Sequence, residues 1–130
     1  RTTFEYILNA DLIRCFESER INVLQIERIM NEMVKWKLEI EDTGKAARLA
    51  GESIFKEIKR ISTEGDNYKR IERLNRLFPL LVKFKLKPHL YKSQNLYFEI
   101  SIKNKVHNDH SPEWMKHFTL LGDNLGVKVE

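Results

Sequence analysis

The chain has 130 residues, of which 42% are hydrophobic and 32% are charged, and its formal net charge at pH 7 is +4. This length suits one domain with a sizeable core, and five glycines with three prolines argue against a many-turned β fold and against disorder. The single cysteine excludes an internal disulfide and a thiolate metal site, and no apolar run approaches the roughly 20 residues that span a bilayer.

Apolar residues recur at three- and four-residue spacing along six segments, which is the period of an amphipathic helix. Asn22 with Gln25 indicates a capping box at the start of the second segment, and Asp66 is the predicted N-cap of the fourth. Ser111 is predicted to cap the last segment, with Pro112 at the first helical position. The predicted helices cover residues 2–17, 22–35, 44–61, 67–83, 89–104 and 112–121.

Three of these helices are followed by a similar apolar-Lys-apolar segment: WKL at 36–38, FKL at 84–86 and VKV at 127–129. This alternation predicts short extended tails with lysines pointing outward. The side chains predicted to point inward are Trp36, Leu38, Phe84, Leu86, Val127 and Val129. The recurrence of the tails is typical of helical-pair arrays, although an irregular helical bundle predicts nearly the same core.

The sequence therefore predicts an all-α fold, an array or bundle of six helices in three antiparallel hairpins, each closed by a short tail. We expect residues 1–130 to form one domain. The chain begins at Arg1 and not at Met, so we expect the domain to belong to a longer protein. Because no signal-peptide pattern opens the chain, the expected location is the cytoplasm.

Several segments together resemble a known family over roughly residues 20–129. They are KLEIE, the alanine-rich AARLAGESIFKEIKRI, RIERLNRLFPLLVKFKLKP, QNLYFEI and SPEWMKHFTLLGDNLGVKV. The chain resembles the C-terminal helical domain of uncharacterised role found on family 57 glycoside hydrolase-like proteins. The most specific elements are the extended tail before the Gln-Asn-aromatic-aromatic helix and the last helix, which contains a tryptophan.

The resemblance implies a non-catalytic accessory domain that packs against the catalytic barrel of its parent chain. It implies that the parent acts on α-glucan or a related polysaccharide through paired carboxylates on that barrel. The barrel is not part of this sequence, so no catalytic residue carries over to it. We expect no cofactor and no membrane partner for this chain.

Gln94 and Asn95 stand out because a packing helix usually places apolar residues at such positions. With a helix beginning near His89, they fall in its second turn. One interpretation is a polar latch, a partly buried amide that pairs with the backbone of a neighbouring tail and fixes how the hairpins dock. The other is a sugar contact, with Tyr97 among the flanking aromatic rings. We favour the latch.

The segment between residues 69 and 92 is basic, because it contains eight cationic residues and one acidic residue, Glu72. Such a run is what a phosphate-binding surface requires, although any solvated helix face also alternates cations with apolar residues. It predicts a basic face that binds either nucleic acid or an acidic protein surface; a free-standing interaction repeat is a third possibility. The basic face comprises Lys69, Arg70, Arg73, Arg76, Lys83, Lys85, Lys87 and Lys92.

The segment after residue 106 is rich in groups that bind metals. His110, Glu113 and His117 are close enough in sequence to share an ion, but loop histidines are the simpler interpretation and we predict no metal. The sequence contains no recognisable nucleophile elbow and no phosphate-binding glycine loop, so whether the parent protein is an enzyme stays open. Trp36 and Trp114 are predicted to be core anchors.

Overall fold

The computed structural model describes residues 2–107 and 109–127, which are mostly helical. No β-strand occurs among these described residues, so the all-α prediction is confirmed. None of the described helices is both long and apolar enough to cross a membrane. The helices are α1 (Thr3–Glu17), α2 (Val23–Lys35), α3 (Thr43–Thr63), α4 (Tyr68–Lys83), α5 (Tyr91–Val106) and α6 (Pro112–Leu125).

The helices form two rows with a hydrophobic core between them. In one row α1 contacts α3 and α3 contacts α5, and in the other α2 contacts α4 and α4 contacts α6. Across the rows α1 contacts α2, α3 contacts α4 and α5 contacts α6, so the two helices of each predicted hairpin touch. The large side chains that are fully buried include Leu12, Met30, Ile54, Leu74 and Trp114.

Side chains close the beginnings of several helices as their sequences predict. Asn22 Oδ1 accepts from Gln25 N at 3.1 Å at the start of α2, and Ser111 Oγ accepts from Trp114 N at 3.2 Å at the start of α6. These bonds satisfy backbone N–H groups that have no partner within the helix.

The prediction that Asp66 caps α4 is wrong, because the N-cap residue is Asn67. The Asp66 carboxylate instead accepts from the backbone N of Ser111 at 3.0 Å and from its hydroxyl at 3.1 Å. These two hydrogen bonds favour the charged form and hold the pKa of Asp66 below its ordinary value. Asp66 therefore links the start of α4 to the start of α6.

The segment after α2, predicted as an extended tail, forms a Schellman motif. Lys37 N donates to Val34 O at 3.1 Å, and Leu38 N donates to Met33 O at 2.8 Å. Lys37 takes the left-handed conformation with φ of 55°. The turn leaves Trp36 on the outside, 56% exposed, so the prediction of Trp36 as an inward core anchor is wrong.

The same motif ends α4 and α6. Lys85 (φ 58°) follows α4 and Gly126 (φ 80°) follows α6, each with the two hydrogen bonds of a Schellman turn. Leu86 after α4 is buried, whereas Val127 after α6 is partly buried. Val129 lies outside the described residues. The segments 36–38 and 84–86 thus coincide with Schellman turns, whereas the turn after α6 is centred on Gly126, ahead of the predicted segment 127–129.

Candidate interaction surface

The amide of Gln94 joins α5 to the end of α6. Its Nε2 donates to Leu125 O at 2.7 Å, and the side chain is partly buried. Asn95 is exposed. The helix begins at Tyr91, two residues later than predicted, because Gln94 N makes its helical bond to Leu90 O.

Tyr97 is part of a column of stacked rings along α6. Its ring lies 4.2 Å from that of Phe118, which lies 4.6 Å from Trp114, which in turn lies 3.6 Å from His110. The Tyr97 hydroxyl donates to Phe118 O at 2.8 Å, and burial raises the pKa of Tyr97 to about 12. The Tyr97 side chain is only 3% exposed, so its ring is closed to a sugar.

The eight cations of residues 69–92 have different surroundings. Arg70 and Arg76 contact carboxylates on other parts of the chain: Arg76 Nη2 lies 2.6 Å from Glu27 Oε1 on α2. The exposed members spread over α4, the turn after it and the first turn of α5. These exposed residues are Lys69, Arg73, Arg76, Lys83, Lys85, Lys87 and Lys92.

Arg70 belongs to a largely buried ionic network around Glu57, whose side chain is only 7% exposed. The Glu57 carboxylate lies 2.7 Å from Arg60 Nη1 and 2.8 Å from Arg70 Nη1. Arg70 also binds Glu64 through Nη2 at 2.7 Å and Nε at 3.0 Å, and this contact lowers the pKa of Glu64. Arg70 is therefore a structural cation with little capacity left for a phosphate.

The histidines lie beside different carboxylates. His110 Nδ1 is 3.7 Å from Asp66 Oδ1, and His117 Nε2 is 3.6 Å from Glu72 Oε2. His117 also stacks on Tyr68, with ring centroids 5.6 Å apart. Within the described ranges, no group of three or more His, Cys, Asp or Glu side chains could hold a metal ion.

An exposed aromatic pair, which the sequence did not indicate, lies where α1 begins and α2 ends. Phe4 and Trp36 meet edge to face with centroids 6.1 Å apart, and both stay substantially exposed. Ile7, about one turn along α1 from Phe4, is also exposed. Trp36 is held by Nε1, which donates to Glu32 Oε2 at 3.0 Å. We call Phe4, Ile7 and Trp36 the aromatic patch.

The exposure of Trp36 could have been predicted by recognising the Schellman turn at the end of α2. In a Schellman motif, the apolar residue after the left-handed position contacts the helix's last turns. Here the residue after the left-handed position is Leu38, and the residue of the last helical turn that it meets is Met33, so Trp36 lies between them on the outside of the turn.

Comparison of the chain with protein families, with curated proteins and with solved structures finds no match.

Proposed function

We propose that this chain is a non-catalytic accessory domain that binds and positions a neighbouring protein module through the aromatic patch. The observation that carries the proposal is the ordered, exposed contact between Phe4 and Trp36. Single exposed apolar residues are normal on protein surfaces, but adjoining aromatic side chains are typical of protein contacts. Tryptophan is also among the residues that contribute most to binding energy in such contacts.

The resemblance to the family 57-associated domain supplies the partner in this proposal. The partner is a glycoside hydrolase-like catalytic barrel that acts on α-glucan or a related polysaccharide in the cytoplasm. The barrel's own carboxylates would perform the chemistry. The helical domain would contribute a rigid surface, and it needs no cofactor for that role.

Nucleic-acid binding through the basic face is the competing proposal. It is supported by the exposed side chains of Lys69, Arg73 and Lys83. It is weakened by the carboxylate partners of Arg70 and Arg76, which reduce the charge available for phosphates. The two-row arrangement also suits a protein-interaction repeat, for which the aromatic patch would be the contact.

The test is to mix the purified chain with a purified barrel of the family 57 type and to measure complex formation by analytical ultracentrifugation. We expect a complex that the double variant Phe4→Ser/Trp36→Ser weakens about tenfold or more, because central aromatic side chains dominate such contacts. The matched control is Tyr6→Ser/Phe98→Ser, which removes two exposed aromatic rings outside the patch.

Equal binding by the patch variant would overturn the proposed contact. A parallel titration with a mixed-sequence oligonucleotide across a salt series tests the rival. Binding that weakens steeply with salt, and that Lys69→Ala/Arg73→Ala abolishes, would favour the nucleic-acid proposal over the accessory domain.

A further inference from the structure

A groove of about 460 Å³ lies between α3 and the start of α5 and shares no residue with the aromatic patch. Its volume falls within the range of about 300–1,000 Å³ that is usual for small-molecule sites. Phe55 and Lys56 of α3 line one side, and Tyr91 and Lys92 of α5 line the other.

Close contact between the two sides forms one end of the groove. A Cβ built on Gly51 would lie 3.0 Å from His89 O and 3.3 Å from Pro88 Cβ, so the backbones meet there without an intervening side chain. Beyond this contact, the rings of Phe55 and Tyr91 provide apolar surface. Tyr91 is 73% exposed, so its ring is accessible to a ligand.

Positive charge lies close to the ring of Phe55. The Nζ atoms of Lys59 and Lys92 lie 5.7 Å and 6.0 Å from the centroid of Phe55, and Lys56 lines the groove itself. The one carboxylate in the lining, Glu52, lies 3.3 Å from Arg48 and is matched by it. The groove therefore combines an aromatic surface with cations that the lining residues leave uncompensated.

We propose that this groove binds a small organic anion with a flat apolar body, a class of ligand separate from the protein partner proposed above. The body lies on Phe55 and Tyr91, and the acid group, a carboxylate or a phosphate, lies between Lys56 and Lys92. Few convergent charges on a mainly apolar surface are the usual design of a small-molecule site. The ligand's charge offsets the repulsion among the lysines.

The test titrates the intact chain with three probes of similar shape: naphthoate, naphthyl phosphate and the neutral naphthalenemethanol. Two-dimensional NMR reports the site through the backbone amides of Gly51 and Ser93, and calorimetry gives the dissociation constant. We expect both anions to shift these amides and to bind at least about threefold more tightly than the alcohol, as is usual for an exposed charge contact. The tighter anion identifies the acid group.

Substitutions then test which lysines bind the acid group and whether the ring of Tyr91 supports the apolar body. We expect Lys56→Gln/Lys92→Gln to weaken naphthoate binding about tenfold and Tyr91→Ala to weaken it about threefold. The matched controls are Lys116→Gln on α6 and Tyr6→Ala on α1, both exposed and outside the groove. Equal affinity for the neutral alcohol, shifts away from the groove, or no shift at all would overturn the proposal.

Discussion

At the scale of single residues, two lysines hold a backbone conformation that usually belongs to glycine. Lys37 and Lys85 have φ of 55° and 58°, at the position where Gly126 stands after α6. For a residue with a Cβ, this conformation costs about 1–2 kcal/mol. The surrounding hydrogen bonds and the apolar contact of Leu86 with the core hold it in place.

Replacing either lysine by glycine should therefore stabilise the fold. We expect Lys37→Gly and Lys85→Gly each to raise the free energy of unfolding by about 0.5–1 kcal/mol, because relief of the strain exceeds the extra flexibility of glycine in the unfolded chain. Urea unfolding followed by circular dichroism measures the change. Lys116→Gly, inside α6, should instead destabilise by about 1 kcal/mol, and a loss at all three sites would contradict the argument.

The ends of α2, α4 and α6 could be predicted from the sequence only in part. The apolar-Lys-apolar segments at 36–38 and 84–86 are visible in the sequence and mark two helix ends of the same kind, although these form left-handed turns and not the predicted extended tails. The left-handed turn is hidden, because lysine carries none of the preference of glycine for positive φ. With Lys37 predicted as extended, Trp36 is assigned to the core, and the exposed aromatic patch is missed.

At the scale of helices, α5 and α6 meet through one amide and one column of rings. Gln94 Nε2 reaches Leu125 O, a carbonyl at the end of α6 that has no further turn of helix to bond. Tyr97, one turn along α5, stacks on Phe118 and donates to its carbonyl. Both contacts join a side chain of α5 to the backbone of α6, which fixes the position of one helix against the other.

The adjacent amides allow a matched test of this contact. We expect Gln94→Ala to lower the free energy of unfolding by about 1 kcal/mol, because it removes a hydrogen bond to a partly buried carbonyl. Asn95→Ala should change it by less than about 0.5 kcal/mol, since Asn95 is exposed and alanine favours helix. Thermal and urea unfolding measure both, and equal effects would mean that Gln94 does not act through Leu125.

Helix positions follow from apolar spacing, but long-range polar partners do not. The period of three to four residues identifies all six helices of the described residues, and local caps such as Asn22 follow from adjacent sequence. Asp66 has an equally good local signal, yet it bonds Ser111, 45 positions away. The sequence likewise predicts Arg70 to be a surface cation, whereas in the structure it pairs with Glu57. Sequence alone does not show which helices become neighbours.

At the scale of the whole molecule, the ionic network around Glu57 joins four parts of the chain. Glu57 and Arg60 belong to α3, Arg70 to α4, and Glu64 to the connection between those helices. Arg60 also donates to the carbonyl of Glu19, in the connection between α1 and α2. The network joins α3 of one row to α4 of the other, so its geometry constrains how the two rows pack.

Replacing the Glu57 carboxylate by an amide of the same shape should show how much this network contributes to the free energy of unfolding. We expect Glu57→Gln to lower the free energy of unfolding by about 2–3 kcal/mol, because two largely buried arginines then face an amide in place of a carboxylate. The matched control is Glu52→Gln on the same helix, whose pair with Arg48 is exposed and should contribute less than about 0.5 kcal/mol.

Urea unfolding of both variants measures the difference between the buried and the exposed charge. The network is largely shielded from solvent, so we expect the gap between the two variants to persist at high salt. Equal losses for Glu57→Gln and Glu52→Gln would show that the existing contacts of Arg60 with Glu19 and of Arg70 with Glu64 are sufficient when the central carboxylate is gone. The packing of the rows would then depend on the hydrophobic core and not on this network.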